Sequence, residues 1–172
     1  MKKTLVLLFV AIFGVVVFVK GANRSSLAET EAAARVPLEA YIQGHATGNG
    51  DFMRKAFHTD AKVMAFRDRK LMIMTSEEFA SRFNGKPAAD EAQRKRRIES
   101  VEITGNAGVG KIILDYPSVT FTDYMSLLKI GDEWKIVNKV FYAEPKPQKG
   151  TNWDGFASKV GIALGSGQYR ER

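Results

Sequence analysis

The stretch from Phe121 to Phe141, FTDYMSLLKIGDEWKIVNKVF, constrains this chain more than any other. Two runs of alternating apolar and polar residues flank Gly131-Asp132, and a two-residue Gly-Asp connection between such runs signals a tight β-hairpin. The turn fixes the register, and the register decides which side chains share a face, because strand side chains alternate with a period of two. Placing Ile130 opposite Glu133 sets Leu127 against Ile136, Met125 against Asn138 and Asp123 against Val140. The expected inner face then holds Phe121, Asp123, Met125, Leu127, Trp134, Ile136, Asn138 and Val140, while Lys135 and Lys139 fall on the solvent face. One carboxylate, Asp123, stands among apolar neighbours on the face meant for the core. A buried carboxylate is costly without a partner. Asp123 is therefore expected to bond Asn138, Tyr41 or an arginine, or to serve a ligand pocket.

The rest of the chain supplies the layer that covers this hairpin. Residues 23–35 are polar and Ala-rich and read as a tether leading into a helix, with Pro37 in its first turn. Leu38, Tyr41, Ile42 and His45 then form one apolar stripe at helical spacing, ended by Gly48-Asn49-Gly50. Asp51 is the expected cap of a second helix burying Phe52, Ala56 and Phe57. Residues 62–74 read as two short strands around Arg67-Asp68-Arg69, and Thr75 with Glu78 makes a capping box for a short helix carrying Phe79 and Phe83. After a loop over 84–93, strands are expected at 96–104, 109–116, 120–130 and 133–143, with a bulge near Glu99-Ser100 where Ile98 and Val101 fall out of phase. The run Arg94-Lys95-Arg96-Arg97 reads either as an anion-binding patch or as a charged strand edge that discourages edge pairing. Pro145 and Pro147 end the sheet, and Trp153, Phe156, Val160 and Leu164 beyond them sit at the spacing of a short helix. Helices followed by mostly antiparallel strands give an α+β domain over 36–144, with 145–172 as an extension.

Met1-Lys2-Lys3 precedes sixteen uncharged residues, 4–19, closed by Lys20. A basic n-region with an apolar h-region reads as an export signal over 1–22, sending the protein to the periplasm or outside the cell. Sixteen residues are short of the roughly 20 needed to span a bilayer, and an uncleaved anchor over 4–19 is the alternative. Losing 1–22 lowers the net charge from +7 to +4, too mild for nucleic acid to be the expected partner. The chain has no cysteine and two histidines, so cysteine-ligated metals are excluded and a zinc site would need carboxylates. Neither a metal nor a cofactor is expected.

The words Tyr41-Ile42-x-Gly44-His45-x-x-Gly48, then Ala56-Phe57-His58-x-Asp60-Ala61, then DYMSLLKIGDEWKIVNKVF, resemble the nuclear-transport-factor-2-like superfamily over about residues 36–142. Within it the chain is most similar to the family called putative lumazine-binding, and more distantly to the ketosteroid isomerases. The resemblance implies a curved, mostly antiparallel sheet wrapped around N-terminal helices, a cone with a pocket at its open end. In the isomerase comparison Tyr41 and Asp123 match the two oxyanion-stabilising groups, the acid being held protonated by its apolar site. The general-base position falls on Ala65, which cannot take a proton.

These residues lead to three expectations. The first is an exported binding protein for a small organic ligand, contacted by Tyr41, Met64, Phe121, Asp123, Met125, Trp134 and Asn138. The second is an isomerase-, cyclase- or dehydratase-type enzyme in which Tyr41 and Asp123 stabilise an oxyanion and His45 serves as base. The third is a homodimeric interaction module, which requires an exposed apolar patch on the outer sheet face.

Overall fold

The computed structural model describes residues 28–147. The expected export segment and the spaced residues Trp153, Phe156, Val160 and Leu164 lie outside the described residues. Helix α1 covers 28–47, longer than the sequence suggests. The stretch 28–35 is helix rather than tether, and Pro37 stands well inside it. Ala34, Leu38 and Tyr41 are fully buried on one face. Burying side chains of this size stabilises by about 1.5–3 kcal/mol for each large one, enough to carry a helix across one missing backbone hydrogen bond. Gly110 lets the helix lie close to the sheet: a Cβ there would sit 2.6 Å from Leu38 Cδ1.

Helix α2, Gly50–Ala56, is capped by Asn49, whose side chain accepts the Asp51 N–H at 2.9 Å. The expected Asp51 cap is thus displaced by two residues, and Met53 takes the buried place expected of Phe52. Strand β1, Phe57–Arg67, turns through Asp68 and Arg69, both with positive φ, into β2, Lys70–Thr75. Helix α3, Ser76–Ala80, starts on the expected capping box between Thr75 and Glu78. A 3₁₀ turn, Glu91–Gln93, precedes β3, Lys95–Thr104. The strands β4, Ala107–Asp115, β5, Val119–Ile130, and β6, Glu133–Pro145, complete the chain's sheet.

The six strands run in the order β2-β1-β6-β5-β4-β3, antiparallel except for the β1–β6 pair. The bulge expected near Glu99 is present, between Ile98 and Ser100 of β3. A second bulge, which the alternating pattern hides, reorganises the central hairpin. Ile130 pairs with Glu133 and Leu127 with Ile136, as the turn dictates. Ser126 then pairs with Asn138, leaving Val137 as an extra residue on β6. Beyond it every β6 side chain is inverted relative to expectation. Met125 faces Lys139 and Asp123 faces Phe141. Lys139, expected in solvent, is 3% exposed, whereas Val140, expected inside, is 41% exposed. Asn138 moves to the outer face, between Ser126 and Lys62. The physical reason lies in Asp123: if Val137 were paired in the ladder the buried carboxylate would look at a valine, and with Val137 looped out the carboxylate meets an ammonium.

Candidate functional site

Asp123 is fully buried on β5, Tyr41 is fully buried on α1, and Lys139 reaches both from β6. The Tyr41 hydroxyl donates to Asp123 Oδ2 at 2.6 Å and accepts from Lys139 Nζ at 2.6 Å. Lys139 Nζ also lies 3.1 Å from Asp123 Oδ1, an ion pair in which both side chains are all but sealed from solvent. The rings of Phe141, Tyr41 and Phe79 surround the ammonium, with centroids 4.6, 5.0 and 5.2 Å from Nζ. Burial, and then the Asp123 charge, push the Tyr41 pKa well above its ordinary value, so the phenol stays a proton donor. Burial pulls the Lys139 pKa down, and the Asp123 charge opposes it without overcoming it. The acid expected to donate a hydrogen bond into a pocket is here an acceptor, taking one bond from a phenol and pairing with an ammonium.

A pocket of about 180 Å³ opens at the end of the sheet where β5 begins and where β1 and β6 finish. Tyr41, His45, Lys139, Phe79, Phe121 and Phe141 line it, together with Leu114, Met72 and Met74, and Arg67 and Arg82 complete the wall. Of the ligand contacts expected from sequence, Tyr41 and Phe121 are on this wall. Asp123 lies behind Tyr41 and Lys139 rather than on it. Met125 is fully buried core beneath. Trp134 lies toward the hairpin tip, where it lines a separate pocket of about 250 Å³ with Val36, Pro37 and Lys55. Met64 pairs with Ile73 and Val140, both exposed, and so belongs with Asn138 to the outer face. Sequence reasoning missed Lys139, Arg82, Phe79 and Phe141. For Lys139 one signal was available: a buried Asp123 needs a cation, and the nearest lysine on the partner strand can reach it if a single residue is looped out.

His45 sits one turn after Tyr41, with the ring centroids 4.6 Å apart. Its Nδ1 lies 3.3 Å from the Tyr116 hydroxyl, which also accepts from Arg96 Nε at 3.2 Å. Nε2 is shielded from solvent and has no hydrogen-bond partner in the protein. Burial, followed by the positive charges of Lys139, Arg96 and Arg94, lowers the His45 pKa well below its ordinary value. The ring is therefore neutral at neutral pH, a weak base with Nδ1 beside Tyr116 and Nε2 enclosed. That arrangement is poorly suited to the general-base role expected from sequence.

Arg96 is held by Glu91 through two contacts of 2.5 and 2.7 Å, Arg94 by Asp90 at 2.8 Å and Arg97 by Glu99 at 2.7 Å. Three of the four cations in the basic run are thus paired with carboxylates at the start of edge strand β3, which fits the charged-edge reading better than an open anion-binding patch. Among the described residues no cluster of histidine and acidic side chains is placed to hold a metal ion.

The family model called putative lumazine-binding matches residues 29–142. A nuclear-transport-factor-2-like protein of unknown function from Shewanella baltica superposes with a TM-score of 0.63 at 24% identity, over 69% of this chain and 97% of that one. A ketosteroid isomerase-like protein from Erwinia carotovora atroseptica superposes at 0.53 with 11% identity, over 67% and 96%. Among curated proteins, the aldolase FrzH of a Cladobotryum species is 20% identical over 108 residues, 62% of this chain and 85% of that protein. At these identities the structural likenesses establish the nuclear-transport-factor-2-like fold, an α+β domain with a curved sheet that does not close.

Proposed function

This chain belongs to the putative lumazine-binding family, and on that premise we propose that it binds a small, flat, mostly apolar organic molecule in the pocket beside Tyr41, His45 and Lys139. The observation that carries this reading is the chemistry of the wall. Three phenylalanines supply apolar surface, Lys139, Arg67 and Arg82 supply positive charge, and the lining contains no carboxylate. Such a wall favours a ligand with acidic or carbonyl oxygens. At about 180 Å³ the pocket is smaller than the roughly 300–1,000 Å³ usual for drug-sized ligands, so the ligand is the size of one or two fused rings. The curated relative's name, an aldolase, adds carbonyl compounds to the classes worth testing. Export through residues 1–22 is part of the same proposal, supported by the basic start and the uncharged run. N-terminal sequencing of the protein from fractionated cells tests it.

The binding test is calorimetric titration with 3-phenylpropanoate, alongside native mass spectrometry for a co-purified molecule. Saturable binding that weakens about tenfold in Arg82→Glu, or about 1.4 kcal/mol, supports the reading. Absence of saturable binding by an aromatic carboxylate, with no co-purified ligand, removes it. The isomerase-type alternative has less support: Asp123 accepts from Tyr41, the base position is Ala65, and burial lowers the His45 pKa and so its strength as a base.

A second reading, self-association through the outer sheet face, draws on a different observation. Ile73, Met64, Val140 and Tyr124 are cross-strand partners in one row over β2, β1, β6 and β5, and three of them are strongly exposed. Light scattering of the wild type and of Val140→Glu tests it; a monomer in both would exclude it.

A further inference from the structure

We propose that Lys139 is a covalent anchor, its ε-amine condensing with the carbonyl carbon of an aldehyde or α-keto acid held in the pocket to form an iminium. The proposal rests on the binding reading above and names the substrate class and the reacting atom.

The placement of the three buried groups carries it. Both partners of the ion pair are nearly enclosed by packing, but only Lys139 is among the residues that line the pocket. Its Nζ is held among the rings of Phe141, Tyr41 and Phe79 and so has little freedom to leave. Burial favours the uncharged amine that nucleophilic attack requires, and lysine is the side chain whose protonation state yields most readily to such surroundings.

The proton count closes without any co-reactant. The ammonium carries three hydrogens. One passes to Asp123 through the Tyr41 hydroxyl, which lies 2.6 Å from Nζ and 2.6 Å from Oδ2. The freed lone pair attacks the carbonyl carbon, forming the C–N bond as the C=O π bond breaks, and the oxygen takes the proton back from the Tyr41–Asp123 pair. A second nitrogen hydrogen follows to that oxygen, water leaves, and one hydrogen stays on the iminium nitrogen. The iminium bears the same single positive charge as the ammonium it replaces, so Asp123 is again paired with a cation when the iminium has formed. Arg67 and Arg82, on the same wall, are placed to hold the carboxylate of an α-keto acid.

The test uses the full chain at neutral pH with phenylpyruvate and sodium cyanoborohydride, which reduces an iminium to a stable secondary amine. 3-Phenylpropanoate, equal in charge and similar in size but without the carbonyl, is the unreactive control. The expected result is one adduct per chain, heavier by the ligand less one oxygen, located on Lys139 by peptide mapping and competed away by 3-phenylpropanoate. Lys139→Arg should lower adduct yield at least tenfold. The pair-neutralising Lys139→Met/Asp123→Asn serves if Lys139→Arg does not fold. Binding of 3-phenylpropanoate without an adduct, or with adducts spread over exposed lysines, overturns the covalent proposal and leaves the binding reading standing. If neither ligand binds, both readings are overturned. Site mapping in the wild type decides between the first two outcomes without relying on any variant.

Discussion

In the tip half of the β5–β6 hairpin, Leu127 meets Ile136, Trp134 points inward, and the core there is apolar. In the base half, past Val137, Lys139 and Asp123 share the inner face with Phe141 and Phe121, and a pocket opens beside them. The two halves belong to the same strands and carry the same alternating pattern. They differ in what their inward residues require. Apolar side chains need removal from water and any neighbour of the right size satisfies them. A buried carboxylate needs a specific partner, and losing it costs several kcal/mol. The tip is therefore governed by the turn, and the base by one ion pair strong enough to justify an unpaired residue in the ladder.

The most severe way to break this contrast is Lys139→Met, which keeps the register and strands the carboxylate, at about 3–5 kcal/mol in urea unfolding. Adding Asp123→Asn should recover most of that loss, because the uncompensated charge is gone. A double variant as unstable as the single one would mean that shape, and not charge, holds the base half together.

At the tip, Gly131 has a φ of 63° and open space where a Cβ would be. Gly131→Ala should therefore cost only the left-handed backbone penalty, about 1–2 kcal/mol, and leave ligand binding at the far end unchanged. The mildest effect is a slope with pH. The His45 pKa in the folded protein lies well below the ordinary 6.5, chiefly through burial. Below about pH 6.5 the unfolded chain gains a proton that the folded chain refuses, so stability falls from there down to the lowered folded value. Urea midpoints measured from about pH 8 to 5 should decline more steeply for the wild type than for His45→Phe. Equal slopes would show that the imidazole gains its proton without cost to the fold.

Much of this architecture can be read in the residues. The hairpin turn, the Thr75–Glu78 cap, the bulge at Glu99 and the α+β layering follow from local rules of spacing and turn chemistry, and the family words near Tyr41 and Phe57 supply the cone. The burial of Asp123 is legible as well, and because an acid among inward apolar positions demands a partner, Tyr41 stands among the candidates that the sequence offers. The partner's identity is a tertiary outcome. Lys139 reads as solvent-facing by parity, and only the pairing of β6 with both β5 and β1 decides that Val137 is looped out. The same holds for the emptiness that makes the pocket: Phe121, Phe141 and Arg82 come from elements far apart in sequence, and no periodicity records where their side chains fail to meet. Local sequence determines what each strand can present on its two faces. Which face a polar group finally occupies depends on electrostatic satisfaction summed over three strands and a helix, and that sum exists only in the folded protein.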